Sequence, residues 1–419
     1  MLDRILSALG KCGIEDYHIV VKDEQSAELF FIKKELDMQR LKKVQTADVS
    51  VYHVFEEGDN RFRGVASVQV QDSLTQPEME KLFADAYYAA GFVKNKYYDL
   101  YEGTKVGMVQ AKDPFGEKTL NEMVQGFAQA LFAEDVYKEV FINSAEIFAS
   151  RLTVHIRNSR GVDVSYNRSR VQGEFVVQCT SGQDVETYQD FSYNGWNLDA
   201  IREKARNTIE LTRARARATT APAAGEYRLI LSGGYVNEFM SYYVNRASSF
   251  AIHQKYSTFS AGCDVQGGEV SKDRVNMTMK SNVPFSDEGI PMKNRELVKD
   301  GKLMMIHGGN RFAQYLGIAP TGNFDGYKVE AGNVSIEQMK EQPYLEVVNF
   351  SDFQMDWFTG HFGGEIRLAF LYDGKTVTPV TGGSVNGNIF EAQKSLVFSK
   401  EMQVEKDFEG PKAVAMDGV

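Results

Sequence analysis

Leu231-Ser-Gly-Gly-Tyr-Val-Asn-Glu-Phe-Met-Ser-Tyr242 is the stretch of sequence that most constrains the fold of this chain. An apolar run, Tyr227 to Leu231, predicts a strand that leads into the glycine pair, and a helix is expected to open directly after it. Glu238 lies in the first turn of that helix, with Asn237 and Tyr242 in the flanking positions. A catalytic zinc takes about three protein ligands, commonly imidazoles, and keeps an open position for water. Because neither Asn237 nor Tyr242 carries an imidazole, this helix is not predicted to bind zinc.

Further short motifs follow one another in a fixed order along the chain. They are residues 158–166 (NSRGVDVSY), residues 282–291 (NVPFSDEGIP) followed by 297–303 (LVKDGKL), residues 321–324 (TGNF), and residues 372–380 (YDGKTVTPV) followed by 382–391 (GGSVNGNIFE). In this order and spacing the chain resembles the TldD/PmbA family, the two-component metallopeptidases of bacteria and archaea. The resemblance covers most of the chain.

The resemblance implies which of the two components the chain is similar to. In the catalytic, TldD-type subunit a His-Glu-x-x-x-His helix and a cysteine near the C-terminus hold the metal. Here the matching positions are Asn237, Glu238 and Tyr242, so that only the glutamate is kept, and no cysteine follows Cys263. The chain therefore resembles the metal-free PmbA (TldE) subunit. No cofactor is expected in it, and zinc is expected only in the partner subunit.

The same resemblance points to residues beside a peptide-binding cleft. The candidates are Asp287, Glu288, Gly289, His307, Thr321, Gly322 and Asn323. The stretch from His307 to Asn310 (HGGN) is also similar to the oxyanion loop of esterases, in which backbone N–H groups face a developing oxyanion. The chain has no Gly-x-Ser-x-Gly segment to supply the nucleophile, so an esterase is not favoured.

The composition is that of an acidic globular chain of 419 residues with a formal net charge of -10. This charge argues against nonspecific binding to nucleic acid or to an anionic membrane surface. Three scattered cysteines make no disulfide framework. The sequence contains neither a run of 18 apolar residues nor a signal-peptide pattern at its start. We therefore expect a cytoplasmic protein without nucleic-acid or membrane partners.

The pattern of apolar residues predicts an α+β protein of two domains. Strands are predicted at residues 17–21, 27–32, 48–55 and 63–70, and helices at 77–90, 120–132 and 199–217. Thr75 and Glu78 have the spacing of a capping box at the start of the first of these helices, and Asn197 is the predicted cap of the last. Asp300-Gly301 is predicted to be a hairpin turn. Residues 1–217 are expected to form a domain of helices packed on a mainly antiparallel sheet. Small residues with a proline and a glycine make 218–225 the linker. Residues 226–419 are expected to form a mainly-β domain with one inserted helix.

Two functions of different classes follow. The first is a non-catalytic, metal-free subunit of a TldD/TldE-like peptidase complex, whose partners are a TldD-like catalytic subunit and unfolded peptides. The alternative is a stand-alone, homodimeric binding or regulatory protein without hydrolytic activity. The aromatic-rich stretches 235–243 and 350–362 fit either a core or a subunit interface. A metal-independent hydrolase has no positive motif in the sequence.

Overall fold

A large, mostly antiparallel sheet forms the first part of the fold. The computed structural model describes residues 1–103, 105–109 and 112–419. Within those residues the strands of this sheet are β1 (Asp16–Ile32), β2 (Glu35–Glu57), β3 (Asn60–Gln71), β4 (Lys105–Val109), β5 (Val140–Asn158), β6 (Asp163–Cys179) and β7 (Val185–Tyr193). Their order is β3-β2-β1-β5-β6-β4, with β7 also paired to β6, and β4 joins β6 in parallel. The expected mainly antiparallel sheet is confirmed.

The strands are longer than the alternation of apolar residues predicted. Residues 17–21 and 27–32 belong to one strand, β1, because the polar residues between them still pair on both sides. Asp23, for example, lies opposite Gln45 of β2 and opposite Thr153 of β5. Strand β2 begins at Glu35 rather than near residue 48. Backbone pairing continues where the side-chain pattern is interrupted, and a pattern-based prediction ends the strand too early there.

Helices cover one face of this sheet. They are α1 (Leu2–Lys11), α2 (Gln76–Ala90), α3 (Leu120–Phe132) and α4 (Leu198–Arg215). Apolar side chains of α1 and α2 pack with Val21, and those of α3 and α4 pack with Leu29. Each fully buried Phe, such as Phe83 or Phe127, contributes about 1.5–3 kcal/mol to this packing.

Two helix starts were predicted from capping residues, and both are confirmed. At α2 the backbone N–H of Thr75 donates to the Glu78 carboxylate over 2.8 Å, which is half of a capping box. At α4 the Asn197 side chain accepts a hydrogen bond of 3.1 Å from the backbone N–H of Ala200.

Two further sheets follow in the chain after α4. The first contains β9 (Met277–Lys280), β10 (Arg295–Lys299), β11 (Lys302–Leu303), β12 (Gly326–Val329), β18 (Met402–Glu405) and β19 (Phe408–Pro411). The second contains β8 (Leu229–Ser232), β13 (Tyr344–Met355), β14 (His361–Tyr372), β15 (Val377–Val380), β16 (Ser384–Asn388), β17 (Val397–Phe398) and β20 (Ala413–Met416). The predominance of strands after residue 226 agrees with the prediction, and the protein is α+β.

Helix α5 (Gly234–Arg246) is the helix that was predicted to follow the glycine pair. It is accompanied by short helices of four to six residues, α6 (Ser249–His253), α7 (Asn310–Tyr315), α8 (Ile336–Met339) and α9 (Ile389–Ala392). Phe239, Met240 and Tyr243 of α5 are buried in the apolar core between these two sheets. The aromatic stretch 235–243 is thus largely core.

The second aromatic stretch, 350–362, is divided between core and surface. Phe350 and Phe362 are buried in the same core, while Phe358 is exposed. Segment 218–225, which we predicted to be a linker, lies between α4 and β8, and the domain boundary there stays a prediction. None of the helices in the described residues is long and apolar enough to cross a membrane.

Candidate functional site

The opening turn of α5 contains the first two positions that match a zinc-binding helix. Strand β8 ends at Ser232, and Gly233 has a φ of 67°, a left-handed conformation that favours glycine and turns the chain into the helix. The hydroxyl of Tyr327, on β12, lies 2.6 Å from the backbone oxygen of Asn237 and 2.6 Å from its side-chain oxygen. A phenol has one proton, so both contacts are satisfied when the Asn237 amide presents its NH₂ to the hydroxyl. Tyr327 therefore makes polar contacts with both the backbone and the side chain of Asn237.

Glu238 is the carboxylate that this turn retains. Its side chain is exposed, and it makes no hydrogen bond or ion pair with the residues that the structure describes. Burial raises the pKa of Tyr327 well above its usual value, and the nearby charge of Glu238 raises it further. Tyr327 thus stays protonated and able to donate.

Tyr242, the third motif position, lies in the core. It is 1% exposed and packs edge-on against Tyr243, Phe259 and Phe390, with ring centroids 5.3 to 6.3 Å apart. The guanidinium of Arg246 lies 5.5 Å from the centre of its ring. The ring fills space in an aromatic cluster and does not line an open site.

The zinc that the resemblance implies for a catalytic subunit does not fit these side chains. At the three motif positions, Asn237 is an amide bound to the phenol of Tyr327, and Tyr242 is an aromatic ring in the core. Only Glu238 is a typical zinc ligand. In the part of the chain that the structure describes, no three His, Cys, Asp or Glu side chains come together in a group that could hold a metal ion. No metal-dependent step can be assigned to this helix.

Most of the predicted cleft candidates come together beside the other end of α5. The backbone N–H of Gly308 donates to the Thr321 hydroxyl over 3.0 Å, and the N–H groups of Thr321 and Gly322 both donate to the Gly308 oxygen. Glu288 joins them, since its carboxylate accepts a 2.8 Å hydrogen bond from the backbone N–H of Asn310. Three segments that are distant in sequence therefore form one hydrogen-bonded cluster.

His307 ties this cluster to α5. Its Nε2 lies 2.9 Å from the carbonyl oxygen of Val244, so Nε2 carries the proton and donates. Burial lowers the pKa of His307, and the ring is neutral near pH 7. Its Nδ1 is buried and has no hydrogen-bond partner among the described residues. The histidine thus has a structural contact at one nitrogen and a free acceptor at the other.

Glu288 is the carboxylate of the cluster, and its surroundings shift its pKa. Burial raises its pKa, the hydrogen bond from Asn310 opposes that shift, and the charge of Asp287 adds to it.

The N–H groups of Gly308 and Asn310 already donate to Thr321 and Glu288. They do not face a free space, so the similarity of residues 307–310 to an esterase oxyanion loop has no functional counterpart in the structure.

The remaining candidates, Asp287 and Asn323, are exposed and line a groove of 350 Å³ between the first sheet and the loops that follow β9 and precede β12. Gly289 is buried in the turn beside them and has a φ of 78°. A side chain there would meet Val162 of the first part of the fold, because an added Cβ would lie 2.3 Å from its Cγ1. Glycine is needed at this position for close packing, not for contact with a ligand.

Comparison with known proteins agrees with the motifs. Residues 224–418 match the model of the PmbA/TldA metallopeptidase C-terminal domain. Residues 224–418 form a domain of the PmbA/TldD family. A protein named "Metalloprotease" from Archaeoglobus fulgidus is 21% identical over 312 residues, which cover 66% of this chain and 70% of that protein. The crystal structure of TldE from Thermococcus kodakarensis has the same fold, with a TM-score of 0.75 at 17% identity, over 100% of this chain and 99% of that one.

The groove includes residues that the sequence did not indicate. Lys22 of β1 and Arg168 of β6 line it from the first sheet, and Asp325 lines it from the loop before β12. Lys22, Val154 and Tyr166 are direct cross-strand neighbours and lie on the sheet face opposite the helices. Alternation along β1 could have assigned Lys22 to that face, but not the loop that covers it.

Another residue that the sequence did not indicate, Asp407, joins the two parts of the fold. Asp407 accepts hydrogen bonds from Asn194 over 3.0 Å, from Asn282 over 2.8 Å and from Arg170 over 3.2 Å. Arg170 and Asn194 belong to the first part of the fold, and Asn282 lies in the loop that borders the groove. A contact between residues so far apart leaves no local signal in the sequence.

Proposed function

We propose that this chain is the metal-free, non-catalytic subunit of a two-component peptidase, and that a TldD-like partner supplies the zinc and the hydrolysis. The observation that carries the proposal is the contact between Tyr327 and Asn237. Asn237, at the first position of the motif, has an amide that is already bound to the phenol of Tyr327. A catalytic subunit needs an imidazole at this position that is free to bind metal.

The burial of Tyr242 supports the same proposal. An imidazole in its place would lie in the aromatic cluster around Phe259 and Phe390. Glu238 alone cannot generate a nucleophile at neutral pH, because a metal is what lowers the pKa of the attacking water toward 7.

The contribution of this chain to catalysis would be the groove. Its floor presents Lys22, Arg168 and apolar strand residues, and its rim presents Asp287 and Asp325. Charges of both signs beside apolar surface suit an extended peptide of mixed sequence. The "Metalloprotease" and TldE names of the two similar proteins fit this role.

The test is to express the chain alone and together with a TldD-like subunit from the same organism. Metal content, by elemental mass spectrometry, and cleavage of an unstructured peptide are measured for each preparation. We expect less than about 0.1 equivalent of zinc and no cleavage for the chain alone, since its three motif positions supply fewer than the three ligands that a catalytic zinc needs. The copurified complex should contain zinc and cleave the peptide. Stoichiometric zinc with chelator-sensitive cleavage by the isolated chain would refute the proposal.

A second candidate is a stand-alone homodimeric binding or regulatory protein. The observation that favours it is an open edge of strand β2: β1 lies beside Glu35–Gln45 on one side, and no strand among the described residues lies beside them on the other. Purification of the chain from its native host distinguishes the two functions. A TldD-like subunit in the eluate supports the complex, and a homodimer free of other subunits supports the alternative.

A further inference from the structure

Arg168 of strand β6 presents a positive charge to the groove that the fold itself does not use. Its side chain is exposed and lines the groove, and it forms no ion pair with any of the residues that the structure describes. Lys22, which also lines the groove, is paired with Asp48 over 2.7 Å. Arg170, the next residue of β6 on the same face, is paired with Asp407 over 3.2 Å. Arg168 therefore differs from both of its basic neighbours.

Apolar surface lies directly beside this charge. Leu152 of β5 is the cross-strand neighbour of Arg168. Val154 and Tyr166 form the next such pair on the same face of the sheet. Phe324 lines the groove from the loop that covers this face. The attraction between opposite charges is weakened less beside apolar surface than in open water, so a carboxylate that meets the guanidinium here is bound more strongly.

Two carboxylates of the described residues lie near Arg168, and neither forms an ion pair with it. Asp325 lines the groove, but its oxygens accept the backbone N–H of Asn282 over 3.0 and 3.2 Å. Glu24 of β1 lies on the far side of Leu152, two strands away from Arg168. The guanidinium of Arg168 therefore keeps its N–H donors available for a ligand.

A negative charge lies toward the other end of the groove. Burial lowers the pKa of His18, and the backbone and the charge of Asp287 oppose that shift, so Asp287 lies beside His18. His18 precedes Lys22 on β1, and Lys22 lies in one cross-strand row with Tyr166. Arg168 follows that row on the side away from His18. A ligand carboxylate is therefore attracted at the Arg168 end and repelled at the Asp287 end, which fixes the direction in which the ligand lies.

We propose that Arg168 is a specificity-determining residue of the groove, and that it binds a peptide carboxylate adjacent to a large apolar side chain. The inference rests on the proposed function, which is what places a peptide in the groove. Side chains two residues apart in an extended peptide face the same way and are about 7 Å apart, as are Arg168 and Tyr166 on their own strand. One apolar side chain can thus cover Val154 and Tyr166 while the carboxylate reaches Arg168. The carboxylate belongs to an Asp or Glu side chain or to the C-terminus of the peptide.

The test compares three unstructured peptides that each contain one Leu. The first carries Glu-Ser-Leu-Ser-Glu between blocked ends, so that a carboxylate lies two residues from the Leu in either chain direction. The second has Gln in place of each Glu. The third ends in Gln-Ser-Leu-Ser with a free terminal carboxylate. Dissociation constants are measured by fluorescence anisotropy, for the chain alone and for the copurified complex with a TldD-like subunit.

We expect the wild-type protein to bind a carboxylate peptide about tenfold more tightly than the second peptide, because a charge-assisted hydrogen bond is about twice as strong as a neutral one. Preference for the first peptide assigns the carboxylate to a side chain, and preference for the third assigns it to the C-terminus. In Arg168→Gln the preference should disappear, and Arg168→Lys should keep part of it. Arg168→Glu should instead favour a peptide with Lys in place of each Glu.

The matched control is Lys272→Glu, which makes a similar change of charge at an exposed lysine outside the groove. It should keep the preference of the wild type. Because Arg168 is exposed and unpaired among the described residues, its variants should also keep the urea midpoint of the wild type. A change of preference without a change of midpoint separates a role in recognition from a role in folding.

Two results would overturn the inference: equal binding of the three peptides by the wild-type chain and its complex, or a carboxylate preference that persists in Arg168→Gln. Cleavage of the same peptides tests the proposed function separately. A complex that cleaves them while Arg168→Gln keeps the preference refutes the inference alone. A complex that binds a carboxylate peptide through Arg168 but cleaves none of the three refutes the proposed function alone.

Discussion

The Tyr327 hydroxyl lies 2.6 Å from both the backbone oxygen and the side-chain oxygen of Asn237, and so joins strand β12 to the opening turn of helix α5. Tyr327 is buried and packs against Phe408, with ring centroids 5.3 Å apart. Where a catalytic subunit of the family carries a metal ligand, this chain carries a contact between a strand and a helix. The first motif position has a structural role here.

Replacement of Tyr327 should show how much this contact stabilises the fold. Tyr327→Phe removes the hydroxyl and leaves a half-buried amide without its partner. We expect the free energy of unfolding to fall by about 1–2 kcal/mol. Urea denaturation measures it. Tyr88→Phe is the matched control, because the Tyr88 side chain is exposed, and it should change stability by less than about 0.5 kcal/mol. Equal effects of the two substitutions would contradict the role of Tyr327.

Restoring the two missing imidazoles should not restore a peptidase. Asn237→His/Tyr242→His supplies two nitrogens, one fewer than the usual number of protein ligands of a catalytic zinc. The first change displaces the Tyr327 contact, and the second places a polar ring in an aromatic cluster. We expect at most weak zinc binding by calorimetry, no peptide cleavage, and a loss of stability of about 2–4 kcal/mol from the buried position. Chelator-sensitive cleavage by this variant would reveal a third ligand elsewhere in the chain.

Glu288 should make the stability of the chain depend on pH. Burial raises its folded-state pKa above the ordinary value of 4.5. The folded protein then binds the proton more tightly than the unfolded chain, so the contribution of Glu288 to stability falls as pH rises from 4.5 through the folded-state pKa. In Glu288→Gln the side-chain oxygen still accepts the hydrogen bond from the Asn310 N–H, but the side chain no longer titrates. The stability of this variant relative to the wild type should therefore increase with pH over that window.

A carboxylate with the opposite shift provides the control for this measurement. Hydrogen bonds from the Thr75 hydroxyl and the Thr75 backbone N–H lower the pKa of Glu78. The contribution of Glu78 to stability is present when the pH is above the ordinary carboxyl pKa, and it is lost as the pH falls through the folded-state pKa. The stability of Glu78→Gln relative to the wild type should decrease as pH rises. Chemical denaturation from pH 4 to pH 8 compares the three proteins, and parallel curves for the two variants would contradict the assignment of Glu288.

Asp407 should control how firmly the groove loop is attached to the first sheet. Asp407→Ala removes the acceptor of Arg170, Asn194 and Asn282 together. We expect a loss of about 2 kcal/mol, because hydrogen bonds to charged groups are stronger than neutral ones. Hydrogen exchange should also become faster in residues 280–288. Asp417→Ala, which breaks the half-exposed pair with Arg228, should cost less than about 1 kcal/mol and leave that segment unchanged.

Local sequence signals predicted a large part of the fold. Helix α3 was predicted at its observed bounds, and α2 and α4 were predicted to within two residues at each end, because their caps and apolar spacing lie within a few residues of each other. The Asp300-Gly301 turn between β10 and β11 was recognised for the same reason, and both of its residues have a positive φ, at 48° and 71°. Strand ends were predicted less well, since pairing with distant strands extended β1 and β2 beyond their apolar pattern.

By itself, the sequence determined the α+β class, the family, and the loss of imidazoles at positions 237 and 242, because each of these depends on residue identity and short spacing. Only the tertiary structure decided what replaced the lost ligands. It brought Tyr327 to Asn237, and it brought Glu288 and Thr321 to the segment after His307. It also left one edge of β2 uncovered where β3 ends. These relations join residues that lie tens of positions apart, and their side chains meet only after the sheets have packed, so neighbouring residues in the sequence carry no record of them.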